Sequence, residues 1–315
     1  MMESMQGIRG LQVSPLCLGG NVFGWTIDEA ASFRVLDAFV DGGFNFIDTA
    51  DMYSRWKPGN QGGESETIIG NWFRTSGKRG KVVLATKVGK DMGEGRLGLK
   101  RAYIMQAVEA SLKRLQTDYI DLYQSHDDDS STPLEESLAA FDQLVKEGKV
   151  RAIGASNYLG TRLQEAIETS RRHGIAEYVC VQPHYNLYER ADFEQNLAPV
   201  CLATGISVIP YFSLASGFLT GKYRSEDDLA KSARGQGVKK YLNDRGFRIL
   251  AALDAVAKDH NATQAQVALA WLKAQPAVAA PIASATTVEQ VEELLGAARL
   301  ALEPGAIKTL TEASA

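Results

Sequence analysis

Eight short apolar runs punctuate the chain, at 15–18, 44–48, 82–87, 119–125, 150–155, 177–182, 206–211 and 278–282. Between them, hydrophobic residues return every three or four positions, as on one face of a helix. In 29–40, for example, Ala30, Phe33, Val35, Leu36 and Phe39 share such a face, and Asp41-Gly42-Gly43 stops it. Further helical stretches are predicted around Ile68, Ile69, Trp72 and Phe73, and at 101–116, 134–147, 160–172, 192–204, 246–259, 264–275 and 288–298. Parallel strands joined by helical crossovers are buried on both faces, so they read as continuous apolar runs. Eight such runs predict an α/β fold, a closed (β/α)8 TIM barrel spanning 1–315 as a single domain. A hairpin within 7–20 precedes the barrel, extra helices follow it, and 212–245 is a long irregular segment. An open doubly wound sheet would show G-x-G-x-x-G after its first strand; Gly19-Gly20-Asn21-Val22-Phe23-Gly24 does not fit.

The bulk numbers remove several function classes. Hydrophobic residues make up 45% of 315 and charged residues 23%, which allows a full-size core. A net charge of −4 without a Lys/Arg-rich stripe argues against nucleic acid or an anionic membrane as partner. No run reaches the ~18 apolar residues of a membrane span. Met1–Gln6 lacks the basic start and apolar core of a signal peptide. Cys17, Cys180 and Cys201 are odd in number and widely spaced, as in a reducing compartment. The expectation is a soluble cytoplasmic protein, a monomer or small homo-oligomer.

Candidate chemistry gathers where the runs end. Asp48, Lys87, His126, Ser156-Asn157, Gln182 and Tyr211 terminate successive runs at steps of 26 to 39 residues, each about one β/α unit. A barrel collects such residues at its C-terminal mouth. Singly, each has a structural explanation: a helix cap, a solvated lysine, a packing histidine. Six on one rim favour a site. Other chemistries fail on inventory. Four histidines without H-E-x-x-H do not make a zinc hydrolase. Asp127-Asp128-Asp129 reads as a solvated acidic loop, or as a lip that disfavours anions. Gly217-Phe218-Leu219-Thr220-Gly221-Lys222 has three residues between its glycines and no Ser/Thr after the lysine, so it is not a P-loop.

With these residues assembled, the chain resembles the aldo-keto reductases from about Gly7 to its C-terminus. The resemblance rests on Phe46-Ile47-Asp48-Thr49-Ala50-x-x-Tyr53, Ala85-Thr86-Lys87, Asp121-Leu122-Tyr123-Gln124-Ser125-His126, Gly154-Ala155-Ser156-Asn157, Gln182-Pro183-x-Tyr185-Asn186-Leu187 and the segment from Tyr211 to Tyr223. It implies reduction of an aldehyde or ketone by NADPH, without a metal; the pocket residues named below also fit a sugar, and the lack of a cation in 281–293 leaves NADH as the alternative. Asp48, Tyr53, Lys87 and His126 would be the catalytic four. Ser156, Asn157 and Gln182 would hold the nicotinamide carboxamide, and Tyr211 would stack on its ring. Ser213, Leu214, Gly217, Leu219, Gly221 and Lys222 would wrap the pyrophosphate, and Gly20 and Asn21 would join the cofactor site. Ala283, Ser284, Thr286, Gln290 and Glu293 fall in the family's adenosine and 2′-phosphate segment. That segment departs from the common pattern: 281–293 contains no Arg or Lys, and Leu294 stands where an Asn is frequent. The substrate pocket is expected to use Trp25, Met52, Trp56, Asp127 and the 223–245 loop.

The residues also suggest roles. A carbonyl that accepts hydride at carbon needs a proton at oxygen. Tyrosine titrates near 10, about three units or ~4 kcal/mol from neutral pH. Lys87 is expected to lower that pKa, Asp48 to fix Lys87, and His126 to orient the carbonyl oxygen. A channel-associated regulatory subunit on the same barrel, binding cofactor with little turnover, is the alternative; its usual N-terminal extension is not evident, since the barrel begins by about residue 15. A Schiff-base lysine enzyme is opposed by Asp48, which would keep Lys87 protonated.

Overall fold

The computed structural model describes residues 7–232 and 234–315. The reading of Met1–Gln6 as lacking a leader lies outside them. The chain opens with a hairpin, β1 (Gly7–Ile8) and β2 (Leu11–Gln12), paired antiparallel. The alternation then runs β3 (Cys17–Gly19), α1 (Glu29–Asp41), β4 (Phe46–Asp48), α2 (Glu64–Ser76), β5 (Val83–Val88), α3 (Arg101–Leu115), β6 (Ile120–Ser125) and α4 (Leu134–Lys146). It continues with β7 (Val150–Ser156), α5 (Gly160–His173), β8 (Tyr178–Gln182), α6 (Ala198–Thr204) and β9 (Ser207–Val208). After three 3-10 turns come α7 (Asp244–Asp259), α8 (Gln264–Lys273), β10 (Ile282–Ala283), α9 (Val288–Arg299) and α10 (Pro304–Ala313).

Strands β3 to β9 pair in parallel in chain order, and β10 pairs with β3. The ring closes through 277–282. Val208 donates to Ala277 O at 2.8 Å, Ala279 donates to Val208 O at 2.8 Å, and Cys17 donates to Pro281 O at 3.0 Å. The architecture is the predicted (β/α)8 barrel. Pro210 and Pro281 lack the N–H a ladder needs, which keeps β9 and β10 at two residues where longer runs were predicted. The predicted helix over 192–204 splits into a π turn, Phe193–Leu197, and α6, because Pro199 removes a donor at the start of α6.

Side-chain parity separates two cores. Ile47, Leu84, Tyr123, Ile153 and Val181 face outward against the helices. Phe46, Ala85, Leu122, Ala152 and Cys180 face inward, where Ile8, Leu11 and Val13 of the hairpin join them and plug the barrel. Each fully buried Leu, Ile, Val or Phe contributes ~1.5–3 kcal/mol. The helices are started by local caps: the Asp28 carboxylate accepts from Ala31 N–H at 2.8 Å, and Thr263 with Gln266 forms a capping box on α8. Cys17, Cys180 and Cys201 are buried free thiols. Among the described residues no helix is long and apolar enough to cross a membrane.

Candidate active site

The same parity lifts polar side chains into the barrel mouth. Asp48, Lys87, Gln124 and Gln182 each stand two residues beyond an inward apolar residue, namely Phe46, Ala85, Leu122 and Cys180. Tyr53 returns from the turn after β4, where its N–H donates to Ala50 O at 3.2 Å. His126 follows β6, its N–H donating to Val88 O at 2.8 Å.

The four predicted residues meet. Lys87 Nζ donates to Asp48 Oδ2 at 2.6 Å, to Thr49 O at 2.7 Å and to Tyr53 OH at 2.8 Å, which uses all three ammonium hydrogens. Tyr53 OH donates to Asp48 Oδ2 at 3.2 Å. The His126 ring stands edge-on to Tyr53, with centroids 5.9 Å apart. Asp48 and Lys87 are 1% and 0% exposed, so this pair lies outside bulk dielectric.

Burial dominates the proton affinities and corrects one expectation. The Tyr53 phenol is pushed well above 10 by burial first and by Asp48 next, although Lys87 lies within hydrogen-bond reach. Lys87 is itself lowered, because desolvation opposes its charge while Asp48 pulls the other way. His126 is held well below 6.5 by burial, Lys87 and Lys90, so its ring is neutral at neutral pH. Asp51, between Asp48 and Tyr53 in sequence, is raised to about 8 by burial and by Glu66. It is therefore mainly neutral at pH 7 and adds little negative charge near Lys87.

These residues open into a cleft of about 1110 Å³, large for a small-molecule site. Its wall carries Asn21, Ser156, Asn157, Gln182, Tyr211, Ser213, Leu214, Gly217, Lys222, Ala283, Ser284, Thr286, Gln290 and Glu293, all predicted. Met52 and Trp56 line it on the substrate side. Asn157 adopts the left-handed region at φ 59°, donates to His126 O at 3.0 Å and accepts from Tyr211 OH at 2.8 Å. His184 backs the Tyr211 ring in a stack 5.4 Å between centroids. Gly217, at φ 95°, takes a conformation that disfavours a side chain, and Lys222 Cε lies 3.4 Å from where its Cβ would stand.

A family model described as "Aldo/keto reductase family" matches residues 15–315. The chain belongs to the aldo/keto reductase family. It is 37% identical over 97% of its length to an uncharacterized oxidoreductase, YrpG, of Bacillus subtilis, covering 94% of that protein. It is 32% identical to a norsolorinic acid reductase of Aspergillus flavus, over 96% of this chain and 78% of that one. A probable voltage-gated potassium channel subunit beta of Arabidopsis thaliana is 32% identical, over 91% and 88% respectively.

Aldo/keto reductases use nicotinamide cofactors, and this cleft fits one in size, in the flat face of Tyr211 and in its hydroxyls and cations. Lys87, 0% exposed, lies beneath the cleft floor, and five of the predicted cofactor and substrate residues of this aldo/keto reductase are off the wall. Gly20 is turned away, its carbonyl accepting from Ser65 Oγ at 2.8 Å; Gly19 lines the cleft instead. Leu219 belongs to the outer core, and Gly221 caps its turn at φ 76°. Trp25 stands behind Trp56, edge-on at 5.5 Å, and carries the Arg234 guanidinium over its ring at 5.3 Å. Asp127 is an outer partner of Lys90, at 2.5 Å, and Lys90 is the wall residue.

Sequence reasoning missed others. Lys222 does not stand alone: Lys231 and Arg234, in the 223–245 loop expected at the substrate pocket but not singled out there, line the same cleft, and Arg234 Nη2 donates to Asn21 Oδ1 at 3.4 Å. Asn21 Oδ1 also accepts from Ser284 Oγ at 2.6 Å, which joins the 281–293 segment to these cations. No local signal marks Arg234, about fifty residues upstream of the segment to which Asn21 joins it. Gln124 was also missed; inward parity with Leu122 and His126 was its signal.

Proposed function

We propose that the protein reduces an aldehyde or ketone to the corresponding alcohol, with NADPH as the favoured cofactor. The observation that carries the reading is the Tyr53 hydroxyl held 2.8 Å from Lys87 Nζ at the floor of a dinucleotide-sized cleft. When bound, a reduced nicotinamide supplies a hydride to the carbonyl carbon. Tyr53 supplies the proton to the oxygen, its O–H bond breaking as the alcohol O–H forms. Burial keeps the phenol protonated at neutral pH, as a general acid requires. The phenolate left behind is met by the Lys87 ammonium, and Asp48 keeps that ammonium in place. Neutral His126 can donate a hydrogen bond to the carbonyl oxygen without adding charge. Ser156, Asn157 and Gln182 hold the carboxamide, Tyr211 supports the ring, and Ser213, Leu214, Gly217 and Lys222 border the phosphates. Arg234, joined to Ser284 through Asn21, and Lys222 on the same cleft wall offer cations that 281–293 lacks, which supports NADPH over NADH. Trp56, Met52 and Lys90, the last backed by Asp127, form a wall, aromatic on one part and cationic on another, suited to a small polar carbonyl compound or a sugar.

Fluorescence titration with NADPH and NADH, followed by a panel of aldehydes, ketones and sugars, tests this. Quenching by NADPH at lower concentration, then oxidation of the cofactor with at least one carbonyl, is expected. Quenching by neither would sink the proposal. Similarity to the channel subunit favours a second reading, a cofactor-binding subunit with little turnover; steady turnover on the panel decides against it.

The pH dependence has a definite sign. Reduction needs protonated Tyr53, whose pKa is raised, so its rate stays flat through neutral pH and declines only in the alkaline range. Alcohol oxidation needs the phenolate and rises with pH over that same range. Because His126 is lowered, neither direction shows a limb near 6.5 from its titration. A reduction rate that climbs between neutral and alkaline pH would contradict the assignment.

A further inference from the structure

Asp48 receives more donors than an anchor for one lysine requires. Its Oδ2 accepts from Lys87 and Tyr53, and its Oδ1 accepts from Gln182 Nε2 at 2.9 Å and Gln124 Nε2 at 3.3 Å. Gln182 Nε2 also donates to Gln124 Oε1 at 3.3 Å. Both hydrogens of the Gln182 amide are thus spent inside the barrel, and its carbonyl oxygen is what remains for the cleft it lines. Gln124 is fully buried and does not reach the cleft.

Nothing about packing calls for an amide at this place. Gln124 sits in register between Lys87 and Gly154, above Leu122 and beside Cys180. Gly154 leaves it room, since a Cβ there would stand 3.1 Å from Gln124 Cγ and 2.8 Å from Cys180 Sγ. A buried amide is unfavourable unless its hydrogen bonds are used, and an apolar side chain of equal volume would fill the same space. Here they are used on the carboxylate that faces the proton donor.

We propose that Gln124 is a positioning residue: with Gln182 it holds the inner oxygen of Asp48, and through Asp48 it couples occupancy beside Gln182 to the proton affinity of Tyr53. The occupant is the carboxamide of a nicotinamide cofactor, a point that rests on the function proposed above. A donor meeting Gln182 Oε1 polarises that amide and strengthens its N–H bond to Asp48. The better-satisfied carboxylate then repels phenolate charge less, so Tyr53 releases its proton more readily when cofactor is present. The other groups facing Tyr53 are Lys87, His126, Cys17, Tyr211 and Arg234, none of which touches Gln124 by a hydrogen bond. By reciprocity, NADP+ affinity must depend on the Tyr53 titration, and Gln124 must carry part of that dependence.

The test measures the NADP+ dissociation constant against pH by fluorescence quenching, for the wild type, Gln124→Met, Gln124→Asn and Tyr53→Phe, with thermal unfolding in parallel. Wild-type binding should tighten through an alkaline midpoint, and Tyr53→Phe should be flat. Gln124→Met should bind with an unchanged low-pH affinity but a midpoint raised by about one unit, the size of one lost hydrogen bond to a charged acceptor. Gln124→Asn, which keeps the amide, should shift it less and guards against a misfolded Met variant. Where a substrate turns over, the alkaline limb of alcohol oxidation should move by the same amount. A wild-type midpoint in both Gln124 variants, a lower melting temperature without a midpoint shift, or wild-type affinity independent of pH would each overturn the coupling. Tight binding without turnover on any carbonyl would instead sink the reductase reading, and the binding curves would still judge Gln124.

Discussion

Replacing Tyr53 with Phe is expected to lower the rate of carbonyl reduction by about 10²–10⁴-fold, the usual contribution of a positioned general acid. NADPH quenching should be retained. The substitution removes one oxygen, which lies 2.8 Å from Lys87 Nζ and 3.2 Å from Asp48 Oδ2. The ring remains, and with it the edge contacts to Trp56 and His126 at 5.9 Å. The cleft keeps its shape, so a loss of turnover without a loss of binding isolates the proton. The Phe variant also leaves Lys87 with two acceptors, Asp48 and Thr49 O, so the ammonium stays compensated. Steady-state assays beside a quenching titration check both halves. A near-normal rate would remove Tyr53 from the chemistry, and a lost Kd would mean that the substitution damaged the site instead.

Lys87→Met should be costly in both stability and rate. Removing one partner of a buried ion pair leaves the other charge uncompensated, typically ~3–5 kcal/mol. Asp48 would keep its donors from Gln182, Gln124 and Tyr53 but lose the only cation that touches it among the described residues. The rate should fall by about 10²–10³-fold, as when a transition-state charge loses its fixed partner. The phenolate that forms at Tyr53 would then have no ammonium beside it. Denaturant unfolding reads the first effect and turnover the second. The double variant Asp48→Asn/Lys87→Met separates them: two neutral groups should recover most of the stability and none of the activity. If Lys87→Met unfolds at the wild-type denaturant concentration, the pair does not carry the buried charge described here.

That Asp48, Tyr53, Lys87 and His126 meet was legible because each ends, or closely follows, an apolar run, and strand ends in a barrel converge. Cleft-lining residues in compact motifs, such as Ser156-Asn157 and Tyr211 to Gly217, were legible for the same local reason. Gln124 escaped because it looks like an interior residue of the run Tyr119–Ser125; only its two-residue spacing from Leu122 and His126 marks the face it shares. Trp25 and Asp127 were placed on the wall by proximity in sequence, and one layer of packing puts them behind Trp56 and Lys90. The 281–293 segment has no cation of its own, and the guanidinium joined to it through Asn21 comes from Arg234.

What the amino-acid order determined by itself is the repeat of strand and helix, the inward face of each strand, and the kinds of side chain delivered to one rim. Those properties depend on periodicity and on neighbours a few positions apart. Folding alone decided which donors surround Asp48, how Arg234 reaches Asn21, and the direction in which the Tyr53 phenol shifts. Apart from Tyr53, five positions from Asp48, the partners stand tens to hundreds of positions apart, and the phenol's shift is a matter of dielectric. A lysine beside a tyrosine lowers its pKa in water; closed inside this barrel with a carboxylate, burial outweighs it.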